Sequence, residues 1–337
     1  MRFGFSDTCL EHDPGPRHPE SPDRLRAIRR KLAKAHGVTY VDANGATEED
    51  VYATHDPDYL DEIQQFVANG GGNWDPDTVA TERTWVAART SAGLAAWAAD
   101  EALDGQDGRA TPFSLGRPPG HHATYDDAMG FCFLNNAAVA TEHVLRDRAD
   151  RVAIFDWDVH HGNGTQDIFY DRGDVLYCSI HEEGLYPGTG DTDETGEGEG
   201  AGTTLNVPLP PGAGDDEYRF VVESLIGPAI VEFDPDLLLV SAGFDAHRHD
   251  PISRMHVTTD GYGLLADRVR DVAADADAAL GFVLEGGYSL DTLSESVHMV
   301  HEVFDGLRPH VDPDDPAADV VDLVADIRER RQGVGSK

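Results

Sequence analysis

Short apolar runs that end in polar, glycine-rich clusters recur along this chain of 337 residues, and helix-like stretches separate them. The runs 111–115, 152–155, 175–180, 237–240 and 282–284 are mostly apolar and short, which reads as buried parallel strands. The Ala-rich amphipathic stretches 84–103, 135–147, 216–232 and 261–279 read as helices. Strand and helix in alternation predict an α/β fold, one open parallel sheet with helices on both faces. Ser21-Pro22-Asp23 is placed to cap and open a helix carrying Leu25, Ile28 and Leu32. Asp315-Pro316 opens a last helix carrying Val320, Leu323, Val324 and Ile327, with Gly333 suited to its end. The glycine-rich stretch 188–202 invites a phosphate-loop reading, but a strand-like TTLNVPL follows it instead of a helix, so a surface loop is expected. Open α/β sheets of this length form one unit, and a catalytic body over 1–310 followed by a C-terminal helix and short tail over 311–337 is the expected division.

Composition narrows the function. Sixty-three acidic against 26 basic residues give a formal net charge of -37, and a chain so acidic lacks the basic face that direct nucleic-acid binding requires. The acidic residues spread along the whole chain and lysine occurs only as Lys31, Lys34 and Lys337. That pattern suits solvation in concentrated salt, as in a halophile's cytoplasm. Steering of cationic substrates is the rival reading, but at about 1 M salt the Debye length is about 3 Å and steering is screened out. No apolar stretch approaches the roughly 20 residues of a membrane span, and Met1 to Asp7 lack an export signal's pattern. A cytoplasmic protein without membrane association is expected. Cys9, Cys132 and Cys178 are far apart with no CxxC spacing, so neither a disulfide framework nor a thiolate metal site is expected.

The chemistry-bearing residues fall just after the proposed strands, where open parallel sheets place their sites. In Asp156-Trp157-Asp158-Val159-His160, alternate side chains of an extended segment point the same way, so Asp158 and His160 can reach one ion. Asp245, after the 237–240 run, can supply the third ligand. Oxygen and imidazole donors without thiolate suit zinc or ferrous iron, and three protein ligands leave a position open. Capping and hydrogen bonding at strand ends would explain a lone DxDxH, but not its company. The adjacent His121 and His122 fit a turn facing a cleft better than a core, and histidine is the usual proton carrier near neutral pH. Tyr288, after Gly286-Gly287, is a candidate donor to a developing oxyanion.

The ordered motifs RPPGHHA, GFCFLNNAA, DWDVHHGNGTQ, YPGTGD, SAGFDAH and LEGGY, preceded by HPESPDRL, resemble the histone deacetylase family, specifically its class II branch. The resemblance spans about residues 12 to 305. It implies an arginase-like fold around an eight-stranded parallel sheet, and zinc held by Asp158, His160 and Asp245. It further implies that His122 is the main proton-transfer group and that His121 supports it with Asp156 as partner. Tyr288 would hold the oxyanion. By the same similarity Gly130, Phe131 and Tyr186 wall a narrow acyl-lysine tunnel, Asp77 binds substrate backbone at the rim, and Arg24 belongs to an inner acetate channel. A structural potassium ion is implied at the carbonyls of Asp156, Asp158, His160 and Ile180 with the Ser179 hydroxyl.

Three departures from the family pattern stand out. Asn163 replaces the aspartate that partners the second histidine in the family's other branch, so His122 should titrate lower. His249 replaces a glycine near the mouth. Ile252 stands where polyamine-selective relatives carry an acidic gatekeeper. The expected activity is therefore zinc-dependent hydrolysis of acyl groups from lysine side chains of proteins or peptides, with small acetylated amines such as acetylpolyamines as the alternative substrates. Arginase-type chemistry with two manganese ions is disfavoured because Gly243 occupies the place of a second aspartate, and a non-catalytic binding protein is disfavoured because every catalytic side chain is kept. An oligomer is compatible with the sequence.

Overall fold

The structure is a computed structural model, and it describes residues 1–309 and 314–334. The strands are β1 (Arg2–Gly4), β2 (Thr39–Val41), the small pair β3 (Gly72–Asn73) and β4 (Val79–Ala80), β5 (Pro112–Ser114), β6 (Val152–Asp156), β7 (Val175–Glu182), β8 (Thr204–Leu209), β9 (Leu237–Ala242) and β10 (Ala279–Leu284). The helices are α1 (Asp23–Leu32), α2 (Glu48–Thr54), α3 (Pro57–Ala68), α4 (Thr84–Leu103), α5 (Asn136–Leu145), α6 (Asn163–Phe169), α7 (Asp215–Val221), α8 (Gly227–Phe233), α9 (Thr259–Asp275), α10 (Leu290–Phe304) and α11 (Ala318–Val334). Eight strands form one sheet in the order β2-β1-β5-β10-β9-β6-β7-β8, and every neighbouring pair is parallel. The single-domain α/β architecture with an eight-stranded parallel sheet is thus present.

The two sheet faces bury different material. Leu25, Ile28 and Leu32 of α1 join Val297, Val300 and Phe304 of α10 and the aromatic side chains Phe113, Trp157, Phe244 and Phe282 in the larger core. On the other face Ala95, Ala99 and Ala102 of α4 meet Ala137, Ala138 and Val144 of α5 over Val152, Ile154, Leu237 and Leu239. Alanine on both helices permits this close approach, and the alternation of Val152 and Ile154 against Ala153 and Phe155 divides β6 between the layers. Val320, Val324 and Ile327 of α11 are buried in the larger core as well. The expected boundary at 310/311 and the tail beyond Val334 fall outside the described residues.

Local details correct some expectations. Pro22 occupies the position before α1 in a helical conformation and no side chain caps it, because Ser21 lies one residue too far out. Its carbonyl instead accepts the Arg24 amide. The last helix starts at Ala318 and runs through Gly333 to Val334. The 216–232 stretch is helical but widens into a π-turn over Val222–Ile226. The cause is Pro228, which has no N–H for the Ser224 carbonyl. Arg328 of α11 donates to that carbonyl instead. The 188–202 segment is a loop built around Glu194, whose carboxylate accepts from the amides of Gly190 and Asp191, and β8 follows it. All three cysteines are free and buried.

Candidate metal centre and active site

Strands β5, β10, β9 and β6 are neighbours at the middle of the sheet, and their C-terminal ends carry the four polar clusters. Trp157 explains the turn of the chain there. It is fully buried and stands edge-on to Phe155 at 6.0 Å. Burying a side chain of this size stabilises by about 1.5–3 kcal/mol or more, against about 1 kcal/mol for one hydrogen bond, so Trp157 anchors the segment and its flanking aspartates face the other way. The strand ends at Asp156 rather than continuing as an extended segment. Asp158 and His160 meet through a hydrogen-bonded bend: Asp156 Oδ1 accepts the Asp158 amide at 3.0 Å, and Asp158 Oδ1 accepts the His160 amide at 2.9 Å.

Asp158, His160 and Asp245 are the one cluster among the described residues whose donor atoms lie close enough to hold an ion, all within 4.8 Å of one another and all buried. His160 Nδ1 lies 3.0 Å from Asp158 Oδ1 and 3.4 Å from Asp245 Oδ2. The second oxygen of each aspartate is committed differently. Asp158 Oδ2 accepts the Gly286 amide at 2.8 Å, while Asp245 Oδ1 accepts the Val159 amide at 3.0 Å and its Oδ2 is buried without a hydrogen-bond partner. A buried carboxylate oxygen left bare is costly unless a cation faces it. A Cβ on Gly243 or Gly286 would come within 2.1 Å of these carboxylate oxygens, so both must be glycine. The donor set and its orphaned oxygen fit a single divalent metal such as zinc, and Gly243 leaves no room for the extra aspartate of a two-ion site.

Around this cluster lie the two histidines. The His121 and His122 ring centroids are 4.0 Å apart. His121 Nδ1 is 3.0 Å from Asp156 Oδ2, with Asp158 Oδ1 3.8 Å from its Nε2. Burial opposes a charge there, yet the two aspartates prevail and raise His121 to about 10. His122 Nδ1 is 2.8 Å from Asn163 Oδ1. Asn163 Nδ2 donates to Met129 Sδ and the His122 carbonyl, so its oxygen faces His122, Nδ1 carries the proton and Nε2 keeps a free lone pair. Burial, then the charge on His121, holds His122 well below its usual value.

Two aromatic side chains stand beside this cluster. Phe131 stands edge-on to Tyr288 at 5.8 Å and Tyr186 edge-on to His122 at 5.1 Å. Phe131 adopts φ 70, and a Cβ on Gly130 would meet the His122 ring at 2.4 Å, so Gly130 lets its segment approach the histidine. Asp77 is exposed on the Phe131 side: Thr78 Oγ1 bonds Asp77 Oδ1 at 3.4 Å and accepts the Phe131 amide at 3.1 Å. Ile252 is half-buried on the loop after Asp245. Ser179 and Ile180 are buried on β7, and the Ser179 hydroxyl pairs with His181 Nδ1 at 2.9 Å. Arg24 is fully buried and its guanidinium is occupied: it donates to the carbonyls of Gly287, at 2.7 Å, and Glu285, and to Glu20. It also lies over the Tyr288 ring at 5.1 Å.

Several site residues gave little signal in the sequence. Glu285 is fully buried, and its Oε2 accepts the amides of Gly120, at 2.7 Å, and His121, at 3.2 Å, tying the histidine turn to the end of β10. Burial pushes its carboxyl up to about 7 against the pull of His121. Glu20 takes Arg117 Nε and Nη2 at 2.6 and 2.7 Å and so joins the histidine segment to Arg24. An acidic residue breaking an apolar strand end, as in VLEGGY, is the signal that marks Glu285. Nothing in the sequence pairs Glu20 with Arg117.

A parallel α/β sheet with a buried Asp-His-Asp cluster at the C-terminal ends of its strands, beside a histidine pair and a tyrosine, is the arrangement of a metal-dependent hydrolase. Residues 18–304 match the histone deacetylase domain model. The chain belongs to the histone deacetylase family. It is 39% identical to the histone deacetylase-like amidohydrolase of Pseudomonas aeruginosa over 345 residues, covering 95% of this chain and 90% of that one. It is 44% identical to a probable deacetylase of Methanothermobacter thermautotrophicus over 284 residues, with 83% of each chain covered. The crystal structure of the HDA15 HD domain superposes with a TM-score of 0.90 at 36% identity, covering 98% of this chain and 94% of that chain. The protein is accordingly a deacetylase or amidohydrolase, acting on linear amides, with a divalent metal site at Asp158, His160 and Asp245.

Proposed function

We propose that the protein removes acetyl or other acyl groups from lysine side chains of proteins or peptides, with zinc in the metal site. The observation that carries this reading is the pair of aromatic rings beside the histidines, Tyr186 edge-on to His122 and Phe131 edge-on to Tyr288, which suits a methylene stem ending in an amide. Asp158, His160 and Asp245 would hold a divalent metal, which would supply polarisation of the substrate carbonyl and acidification of water. His122 Nε2, its tautomer fixed by Asn163, takes the proton of the attacking water and returns it to the leaving amine. His121 and Asp156 orient and electrostatically support that exchange. Tyr288, whose phenol burial holds well above its usual value, stays protonated and donates to the oxyanion.

Rim contacts by Asp77 and Ile252, product passage past Arg24, and potassium at Asp156, Asp158, His160, Ser179 and Ile180 belong to the same proposal. Activity indifferent to replacing potassium by choline would remove the potassium site from it. Arg24 already donates to the carbonyls of Gly287 and Glu285 and to Glu20, which supports a holding role at the GGY turn beside any channel role. The catalytic body over 1–310, the cytoplasmic setting and a halophile's medium are likewise proposed. Among the described residues, no helix is long and apolar enough to cross a membrane. The deciding experiment compares rates on an acetyl-lysine peptide and on acetylputrescine at molar KCl. Faster peptide turnover is expected, and turnover of acetylputrescine alone would replace lysine with small amines as the substrate.

A further inference from the structure

We propose that Asp250 is a positioning residue for this reaction, its carboxylate seating Tyr288 and tying that placement to the mouth loop that carries Ile252. The inference rests on the reading of Tyr288 as oxyanion donor. Asp250 Oδ2 accepts two consecutive amides, Tyr288 at 2.7 Å and Ser289 at 3.0 Å. Its other oxygen accepts the Ile252 amide at 3.2 Å. The Asp250 amide in turn donates to the His247 carbonyl at 2.7 Å. One buried carboxylate thus joins the end of β10 to the loop leaving the metal ligand Asp245.

Tyr288 needs such an anchor. Among the described residues its phenol has no hydrogen-bond partner, so its aim depends on the main chain and on ring contacts. Two glycines precede it, and they leave that main chain soft. Restraint comes from two sides. Arg24 holds the Gly287 carbonyl and lies over the ring, and Asp250 holds the next two amides. Burial pushes the Asp250 carboxyl up to about 6, a cost that its three amide donors offset in part. The bond to the Ser289 amide also satisfies the N-cap of α10, whose own side chain makes no capping bond. A cap alone stabilises the helix but gives no dependence on the phenol hydroxyl, and this separates the two roles.

The test is a double-mutant cycle on full-length, metal-loaded protein at constant KCl, with metal content checked for each variant. Asp250→Ala is expected to lower kcat about 10- to 100-fold, the scale on which a displacement near 1 Å slows catalysis. In a Tyr288→Phe background the same substitution should lower it less than about 3-fold, because the group being positioned is already gone. Asp250→Asn keeps one acceptor oxygen for the Tyr288 and Ser289 amides and should restore most of kcat. If the alanine variant does not fold, the asparagine and glutamate variants provide the same comparison, with glutamate, one methylene longer, expected to be the slower. Equal factors in both backgrounds, or an Asp250→Ala kcat at the wild-type value, overturn this inference alone. A Tyr288→Phe variant as active as wild type overturns the functional reading and this inference with it.

Discussion

Asn163 sets the state of the neighbouring histidine. Its oxygen accepts from His122 Nδ1 without adding charge, and burial and His121 then hold His122 neutral. Asn163→Asp places a carboxylate at the same atom, which favours the imidazolium and raises the His122 pKa. A base must be unprotonated, so the acidic limb of the pH–rate profile should move to higher pH by about one unit or more. An unmoved limb, or one shifted to lower pH, contradicts the role given to His122. At this scale the sequence was most legible where chemistry is unusual: Asp158, His160 and Asp245 form the expected cluster, and His121 contacts Asp156 while His122 contacts Asn163. Only the reason for the Asp158–His160 meeting differs, since a bend rather than an extended segment brings them together. Asp250 and Glu20 stayed illegible because their partners lie 38 and 97 residues away, at Tyr288 and Arg117, and a single acidic residue in so acidic a chain stands out from nothing.

At the scale of elements, His143 ties three helices together. From α5 it reaches Asp50 of α2 at 3.0 Å and Asp100 of α4 at 3.1 Å. The hydrogen bond to Asp100, with that to Asp50, raises it to about 9. A histidine whose folded pKa exceeds its unfolded value of 6.5 adds stability that is fully present below about 6.5 and is lost as pH rises through about 9. The wild-type thermal midpoint should therefore fall between pH 7 and 10 by more than that of His143→Gln. Parallel pH dependences in the two proteins would contradict this. The long elements were readable because they are regular over many residues, as α4 and β7 are. β1 and β2 were not, since three residues each carry no periodicity and, unlike the equally short β5, neither was marked by a polar, glycine-rich cluster carrying chemistry at its end. The π-turn before Pro228 was equally hidden, because its wide turn still presents an apolar face.

For the whole molecule, a charge of -37 must be carried by a single compact body, and self-repulsion weakens that body at low ionic strength. Salt screens it, with a Debye length that shrinks from about 10 Å at 0.1 M to about 3 Å at 1 M. The thermal midpoint should climb steeply with KCl between these concentrations, and a flat or falling curve would count against adaptation to concentrated salt. The α/β class was legible from alternating strands and helices, whereas the strand count rested on resemblance and the strand order emerged only from the folded sheet. That order decides function, since it sets β5, β10, β9 and β6 side by side and so gathers four distant segments around one ion. The most direct measurement of the central claim is acetate release from an acetyl-lysine peptide as metal-free protein is titrated with zinc at molar KCl. One buried Asp-His-Asp cluster predicts activity that rises in proportion to zinc and breaks at one equivalent per chain. A break at two equivalents, or no acetate release at any zinc level, would contradict it.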